Sequence, residues 1–198
     1  MDLDLAKWIE RWFMRHADDG EFSCHVRAHP YSVVGPSNAT TSLVYTTKPA
    51  FVCKAIETVL VSGKIGLIGR YGLPCEVDLQ WIRTLVGTRT LLFLGDMDPV
   101  DLMVFAWLRR RCSSHIVYVG VSDSFLAQLG IGANESLTNA CQPSEKESLC
   151  VLKKVFPDFK DTVGPECCTI LEGGRKIELE AIPIGDGIGD ITDIDGAD

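Results

Sequence analysis

From residue 42 onward, short unbroken apolar runs alternate with segments of helical periodicity. Leu43-Val44-Tyr45, Ile65-Gly66-Leu67-Ile68, Leu91-Leu92-Phe93-Leu94 and Ile116-Val117-Tyr118-Val119 contain no polar interruption. Such runs suit strands buried on both faces of a parallel sheet. Between them, Phe51, Val52, Ala55, Ile56, Val59 and Leu60 predict a helix opened by Pro49, a position where proline is tolerated. Asp78, Trp81, Ile82, Leu85 and Val86 predict a second helix, Leu102 to Leu108 after Pro99 a third, and Phe125, Leu126 and Leu129 a short fourth. Strand and helix in this alternation, joined by right-handed crossovers, predict an α/β fold. Its sheet should be mainly parallel and Rossmann-like, with helices on both faces.

The flanks read differently. Leu5, Trp8, Ile9, Trp12 and Phe13 recur at helical spacing, and Asp18-Asp19-Gly20 ends that helix. Residues 22–28 read as a strand, and Pro30, Gly35, Pro36 and Asn38 as a loop. Residues 143–156 predict a helix, and Pro165 opens another that ends at Gly173-Gly174. Ile177, Leu179 and Ala181 alternate with Glu178 and Glu180, a strand-like pattern. The tail from Gly185 is rich in Gly and Asp and is expected to be mobile. The expected division is an N-terminal helix-and-strand extension over 1–41, the α/β domain over 42–184 and an acidic flexible tail over 185–198.

Composition narrows the possibilities. At 46% hydrophobic and 23% charged, 198 residues can bury a real core. No apolar stretch reaches the roughly 20 residues of a membrane helix, so no membrane association is expected. The start, Met1-Asp2-Leu3-Asp4, lacks the basic region of a secretory leader. The eight cysteines form no C-x-x-C pair and fall mostly in apolar segments. Buried thiols of this kind suit a reducing compartment, the cytoplasm or, in a eukaryotic cell, the nucleus. The net charge of −8 argues against a broadly basic surface. The tail's five aspartates contribute much of it, leaving 22 acids against 19 bases in the rest, so a local basic groove remains compatible.

The segment richest in chemistry is Leu94-Gly95-Asp96-Met97-Asp98-Pro99. Two carboxylates, one residue apart, follow a buried strand, and ligands bind at the carboxyl ends of strands in open α/β sheets. Pointing the same way, they repel each other, and a hard divalent cation relieves that repulsion while keeping water to meet a phosphate. The simpler reading is a cap on the 99–111 helix, for which one Asp suffices.

Gly95-Asp96-Met97-Asp98-Pro99 resembles the Asp-x-Asp-Pro motif of the Toprim domain, most closely the version in the topoisomerase VI A subunit and its meiotic double-strand-break relatives. Three other segments extend the resemblance, in the same order. Ile68-Gly69-Arg70-Tyr71-Gly72-Leu73-Pro74 resembles that family's Thr-Gly-x-Gly-x-Pro turn. Val117-Tyr118-Val119-Gly120-Val121 with Asp123 resembles its Leu-Gly-x-x-x-x-Asp segment. Gly174 to Ala181 resembles its terminal Lys-Ala-Glu-Ile-x-Ala-Leu segment. The match runs from about residue 42 to 184. It implies a Toprim-like fold, Mg²⁺ or Mn²⁺ at Asp96 and Asp98 as catalytic and metal-binding residues, and DNA as the partner. A second protein chain would supply a winged-helix or ATPase function.

The sequence departs from this pattern twice. Toprim enzymes carry a catalytic glutamate at the end of the first strand, where this chain has Thr46, Thr47 and Lys48. Glu57 lies on the polar side of its predicted helix, a solvated position. The general acid/base is therefore missing. Only about 40 residues precede the matching region, with Tyr31 their one tyrosine. That is short for the winged helix that carries the family's DNA-linking tyrosine, so any cleavage would be metal-assisted hydrolysis.

Other residues have two readings each. Gly69 and Arg70 form either a phosphate-contacting turn or an ordinary one. Arg109, Arg110 and Arg111 either complement a helix C-terminus or position phosphate. Glu178 and Glu180 either form surface pairs with Arg175 and Lys176 or support the metal site from behind its ligands, Glu178 foremost. Cys24, His25 and His29 do not make a tetrahedral zinc set.

Three functions follow. One is a DNA-associated, metal-binding Toprim-like protein acting as a Mg²⁺-dependent nuclease or as part of a DNA-processing complex. Another is a catalytically degenerate binding or scaffold module. The third comes from Asp96-x-Asp98-x-Val100, which also resembles the first motif of haloacid-dehalogenase-type phosphatases. That motif normally lies near the chain start.

Overall fold

The computed structural model describes residues 32–34, 42–48, 65–69, 74, 76–112 and 115–182. The predicted helices over 5–13 and 51–60, the 22–28 strand and the tail from Gly185 lie outside the described residues. So do Cys24, His25, His29, Glu57 and Arg70.

Five strands form the main sheet: β1 (Ser32–Val34), β2 (Ser42–Thr46), β3 (Ile65–Gly69), β4 (Thr90–Leu94) and β5 (Ile116–Tyr118). Their order is β1-β3-β2-β4-β5. β2, β3, β4 and β5 are parallel, and β1 runs antiparallel to β3 at the edge. The fold is thus α/β with a four-strand parallel core of Rossmann-like type. β1 corrects the expectation of a loop over residues 30–38. Turn-forming residues dominate that stretch, but its β-branched Val33-Val34 pair fits an edge strand.

Helix α1 (Glu76–Val86) connects β3 to β4, and α2 (Pro99–Arg111) connects β4 to β5. Both crossovers run in the same direction across the sheet, so right-handedness places both helices over one face. The Arg83 guanidinium of α1 donates to the Arg111 carbonyl at the end of α2. Leu79, Ile82 and Val86 of α1 are fully buried, as are most residues of α2 from Leu102 to Leu108. The helix expected on the other face is the one over 51–60, outside the described residues.

On the face that α2 covers, strand register aligns Tyr45, Phe93 and Tyr118 side by side. Their rings stack with centroids 5.9 Å apart in both steps. Phe105 of α2 tilts against Phe93 and meets Tyr118 edge-on, geometries that aromatic quadrupoles favour. β5 is less enclosed than its apolar sequence suggests: Val117 is 47% exposed, because β5 closes the edge of the sheet.

Beyond β5 come α3 (Asp123–Gln128), a 3₁₀ turn (Glu135–Leu137), β6 (Thr138–Ala140), α4 (Pro143–Val155), α5 (Phe159–Val163), α6 (Pro165–Glu172), β7 (Arg175–Ile177) and a second 3₁₀ turn (Leu179–Ala181). β6 and β7 form a small antiparallel sheet. The strand expected to run on through Ala181 stops at Ile177. Its continuation bends into the 3₁₀ turn, with the Ala181 N–H donating to the Glu178 carbonyl. Among the described residues, no helix is long and apolar enough to cross a membrane.

Candidate metal centre

The chain crosses from β3, on one side of β2, to β4 on the other. Open α/β sheets bind ligands at such a reversal, outside the carboxyl ends of the strands, which here are those of β2 and β4. β2 ends there at Thr46, followed by Thr47 and Lys48, and β4 at Leu94, followed by Gly95 and Asp96.

Asp98 has an extended backbone, and its Oδ1 accepts the N–H groups of Val100 at 2.7 Å and Asp101 at 2.8 Å. It is the N-cap of α2, and Pro99 follows at a tolerated position. Asp101, in the first turn, points back toward the sheet. Its Oδ2 accepts the Asp96 N–H at 2.8 Å and the Thr47 hydroxyl at 2.7 Å. Gly95 permits that approach, since a Cβ there would lie 2.7 Å from Asp101 Oδ2 and equally close to the Phe93 ring. Asp96 Oδ1 accepts the Leu179 N–H at 2.8 Å, and its Oδ2 lies 2.6 Å from Lys48 Nζ. Lys48 also reaches Glu180 Oε2 at 3.2 Å.

Asp96, Asp98 and Asp101 are all buried, and each offers an oxygen within 4.8 Å of the others. Asp98 Oδ2 and Asp101 Oδ1 accept no hydrogen bond from a described residue. A buried, oxygen-only donor set with two uncommitted carboxylate oxygens fits a hard cation. The three residues could therefore hold a metal ion.

Burial dominates the electrostatics. It pushes Asp98 well above the usual carboxylate range, and the charges of Asp101 and Asp96 add to the effect. Burial and Asp96 together push Asp101 up to about 7. Asp96 is also raised: burial outweighs the opposing pull of Lys48 and the Leu179 N–H. Burial draws Lys48 down, but contact with Asp96 more than offsets this and leaves the ammonium above its ordinary range. An isolated ion pair would lower its acid. Here only the base responds as a paired group, because burial penalises the Asp96 charge more than Lys48 favours it. Tyr118, buried beside the three aspartates, is raised well above its usual value. Its hydroxyl donates to the Asp96 carbonyl at 3.0 Å.

The terminal segment braces this loop. Met97 and Ile177 form an antiparallel bridge, with the Met97 N–H donating to the Ile177 carbonyl at 2.9 Å. Lys176 Nζ lies 2.8 Å from Glu145 and 2.9 Å from Glu178, and its charge also pulls Asp98 down. Glu178 is engaged by Lys176 and by the Asn139 amide. The glutamate linked to Asp96 is Glu180, through Lys48.

The other sequence candidates are placed apart from the cluster. Gly69 ends β3, buried and paired with Thr46 and Ser32. Arg109 and Arg110 sit at the far end of α2, roughly 16 Å along the helix axis from Asp98 at 1.5 Å per residue. Arg109 is exposed, and the Arg110 guanidinium donates to the Val155 carbonyl at the end of α4. Helix geometry separates them from the acidic end, and their charge complements the C-terminal dipole instead. Asp123, in the third resembling segment, caps α6: its carboxylate accepts the N–H groups of Glu166 and Cys167, each at 2.8 Å.

Sequence reasoning missed Asp101, Thr47 and Lys48. Asp101 reads as a routine first-turn acid, and no local pattern shows that Lys48 reaches Asp96. Fold and site together define an α/β protein with a buried acidic cluster at the switch point of its parallel sheet. No protein-family model matches the chain, and no curated protein matches it.

Proposed function

We propose that this chain is a Toprim-like protein that binds a divalent cation, Mg²⁺ or Mn²⁺, through Asp96, Asp98 and Asp101 and thereby engages nucleic-acid phosphate. The observation behind this reading is the convergence of three buried carboxylates at the switch point between β2 and β4. A bound cation would supply charge neutralisation and polarise a phosphate oxygen. The chain's own residues prepare the place. Cap bonds hold Asp98, and Thr47 with the Asp96 N–H holds Asp101.

Where Toprim enzymes have a glutamate, Thr47 and Lys48 instead hold carboxylates of the cluster. No carboxylate stands at that strand end to act as general acid/base. This supports a DNA-associated binding module, working within a complex, over a stand-alone nuclease. The phosphatase motif normally follows the first strand, whereas Asp96 follows the third of the described parallel strands.

The test is supercoiled plasmid with Mg²⁺ or Mn²⁺, using the protein and its Asp96→Asn and Asp98→Asn variants. Asn preserves the α2 cap while removing the charge. Metal-dependent retardation of DNA without nicking, lost in Asp98→Asn, is the expected result. Metal-dependent nicking lost in both variants would instead establish a hydrolytic nuclease. Folded protein that ignores DNA with and without metal would overturn the proposal.

A further inference from the structure

We infer that Lys48 is a built-in competitor for the cation position, and that a divalent ion enters by displacing its ammonium from Asp96 to Glu180. The inference rests on the metal-binding reading above and concerns how that site is regulated.

Lys48 Nζ lies 2.6 Å from Asp96 Oδ2, on the same carboxylate that a divalent ion would use. Two cations cannot share that oxygen at contact distance in a low-dielectric crevice without strong repulsion. The ammonium already has an alternative, since Glu180 Oε2 is 3.2 Å away. The two carboxylates differ in setting: the Asp96 side chain is 4% exposed, whereas that of Glu180 is 55% exposed. Lys48 thus bridges a buried and a solvated acceptor. Swinging wholly onto Glu180 keeps its charge paired and vacates Asp96. Without metal, Asp96 is neutralised by Lys48, so the cluster's affinity for divalent ions is held down.

The test is Mn²⁺ binding to the full chain, measured by titration calorimetry. Lys48→Gln should tighten binding by about tenfold or more, because the competing charge is gone. Glu180→Gln removes the refuge and should weaken binding about threefold, an effect that disappears in the Lys48→Gln background. Glu172→Gln serves as the control, because Glu172 is an exposed carboxylate whose ion-pair partners are Lys153 and Lys160 rather than Lys48. It should leave affinity unchanged.

Unchanged or weaker binding by Lys48→Gln would overturn the inference while leaving the metal site standing. Mn²⁺ binding absent from every form, with melting curves showing folded protein, would remove both. If Lys48→Gln does not fold, Glu180→Gln decides. It is a surface change, and a loss no greater than that of Glu172→Gln would overturn the displacement.

Discussion

Gly95 shows how little space the site leaves. A Cβ at this position would meet Asp101 Oδ2 and the Phe93 ring at 2.7 Å, closer than real Cβ contacts. Gly95→Ala should therefore push Asp101 off the Asp96 N–H. A cost of about 1–3 kcal/mol is expected from overpacking, read by chemical denaturation, together with weaker Mn²⁺ binding. The sequence made Asp96 and Asp98 visible because they follow an apolar strand. It hid Asp101 because an acid in the first turn of a helix is favourable without any further role. Lys48 was hidden for another reason. Its partner is on a different strand, and only the parallel pairing of β2 with β4 brings the two strand ends together.

At the scale of elements, the runs of uniform character were legible. β2, β3 and β4 are unbroken apolar segments, and α1 and α2 follow from helical spacing and Pro99. β6 was missed because Thr138-Asn139-Ala140 has no apolar signal of its own. Its pairing with β7 and the Arg175 guanidinium bonded to the Thr138 carbonyl fix it instead. The Glu178 and Glu180 alternation mimicked a strand, yet the backbone turns so that Leu179 can donate to Asp96. Asp123 belongs to this scale too, since it joins α3 to the start of α6. Gly164, with φ of 87°, leaves room for its carboxylate. Asp123→Ala should lower stability by about 1–2 kcal/mol through loss of the cap, seen as a lower melting temperature. Mn²⁺ affinity should be unaffected, which separates this residue from the acidic cluster.

For the molecule as a whole, the raised carboxylates set the response to pH. Asp101 titrates near 7 in the folded chain and near 3.9 when unfolded. Between these values the folded state holds a proton that the unfolded state has released, so stability without metal falls as pH rises from about 4 to about 7. Burial acts in the same direction on Asp96 and Asp98. Lys48 acts with the same sign at higher pH: its ion pair contributes stability below its unfolded pKa, and that contribution is lost only in strong alkali. Denaturation midpoints across this range should decline, and Asp101→Asn should flatten the decline. Mn²⁺ should stabilise the protein more at pH 8 than at pH 5.5, since a metal requires the deprotonated acids.

The bridge between Met97 and Ile177, with the Leu179 N–H on Asp96, has a consequence for how the chain matures. During synthesis the sheet can assemble once β5 has emerged, but the loop after β4 must wait some eighty residues for its brace. Until then Asp96 lacks the Leu179 N–H, and the acidic crevice stands open on that side. A ribosome stalled after Gly174 would carry a nascent chain with its parallel strands made and its acidic cluster unbraced. The brace is thus made long after the parallel strands, and its completion reports that translation has passed β7.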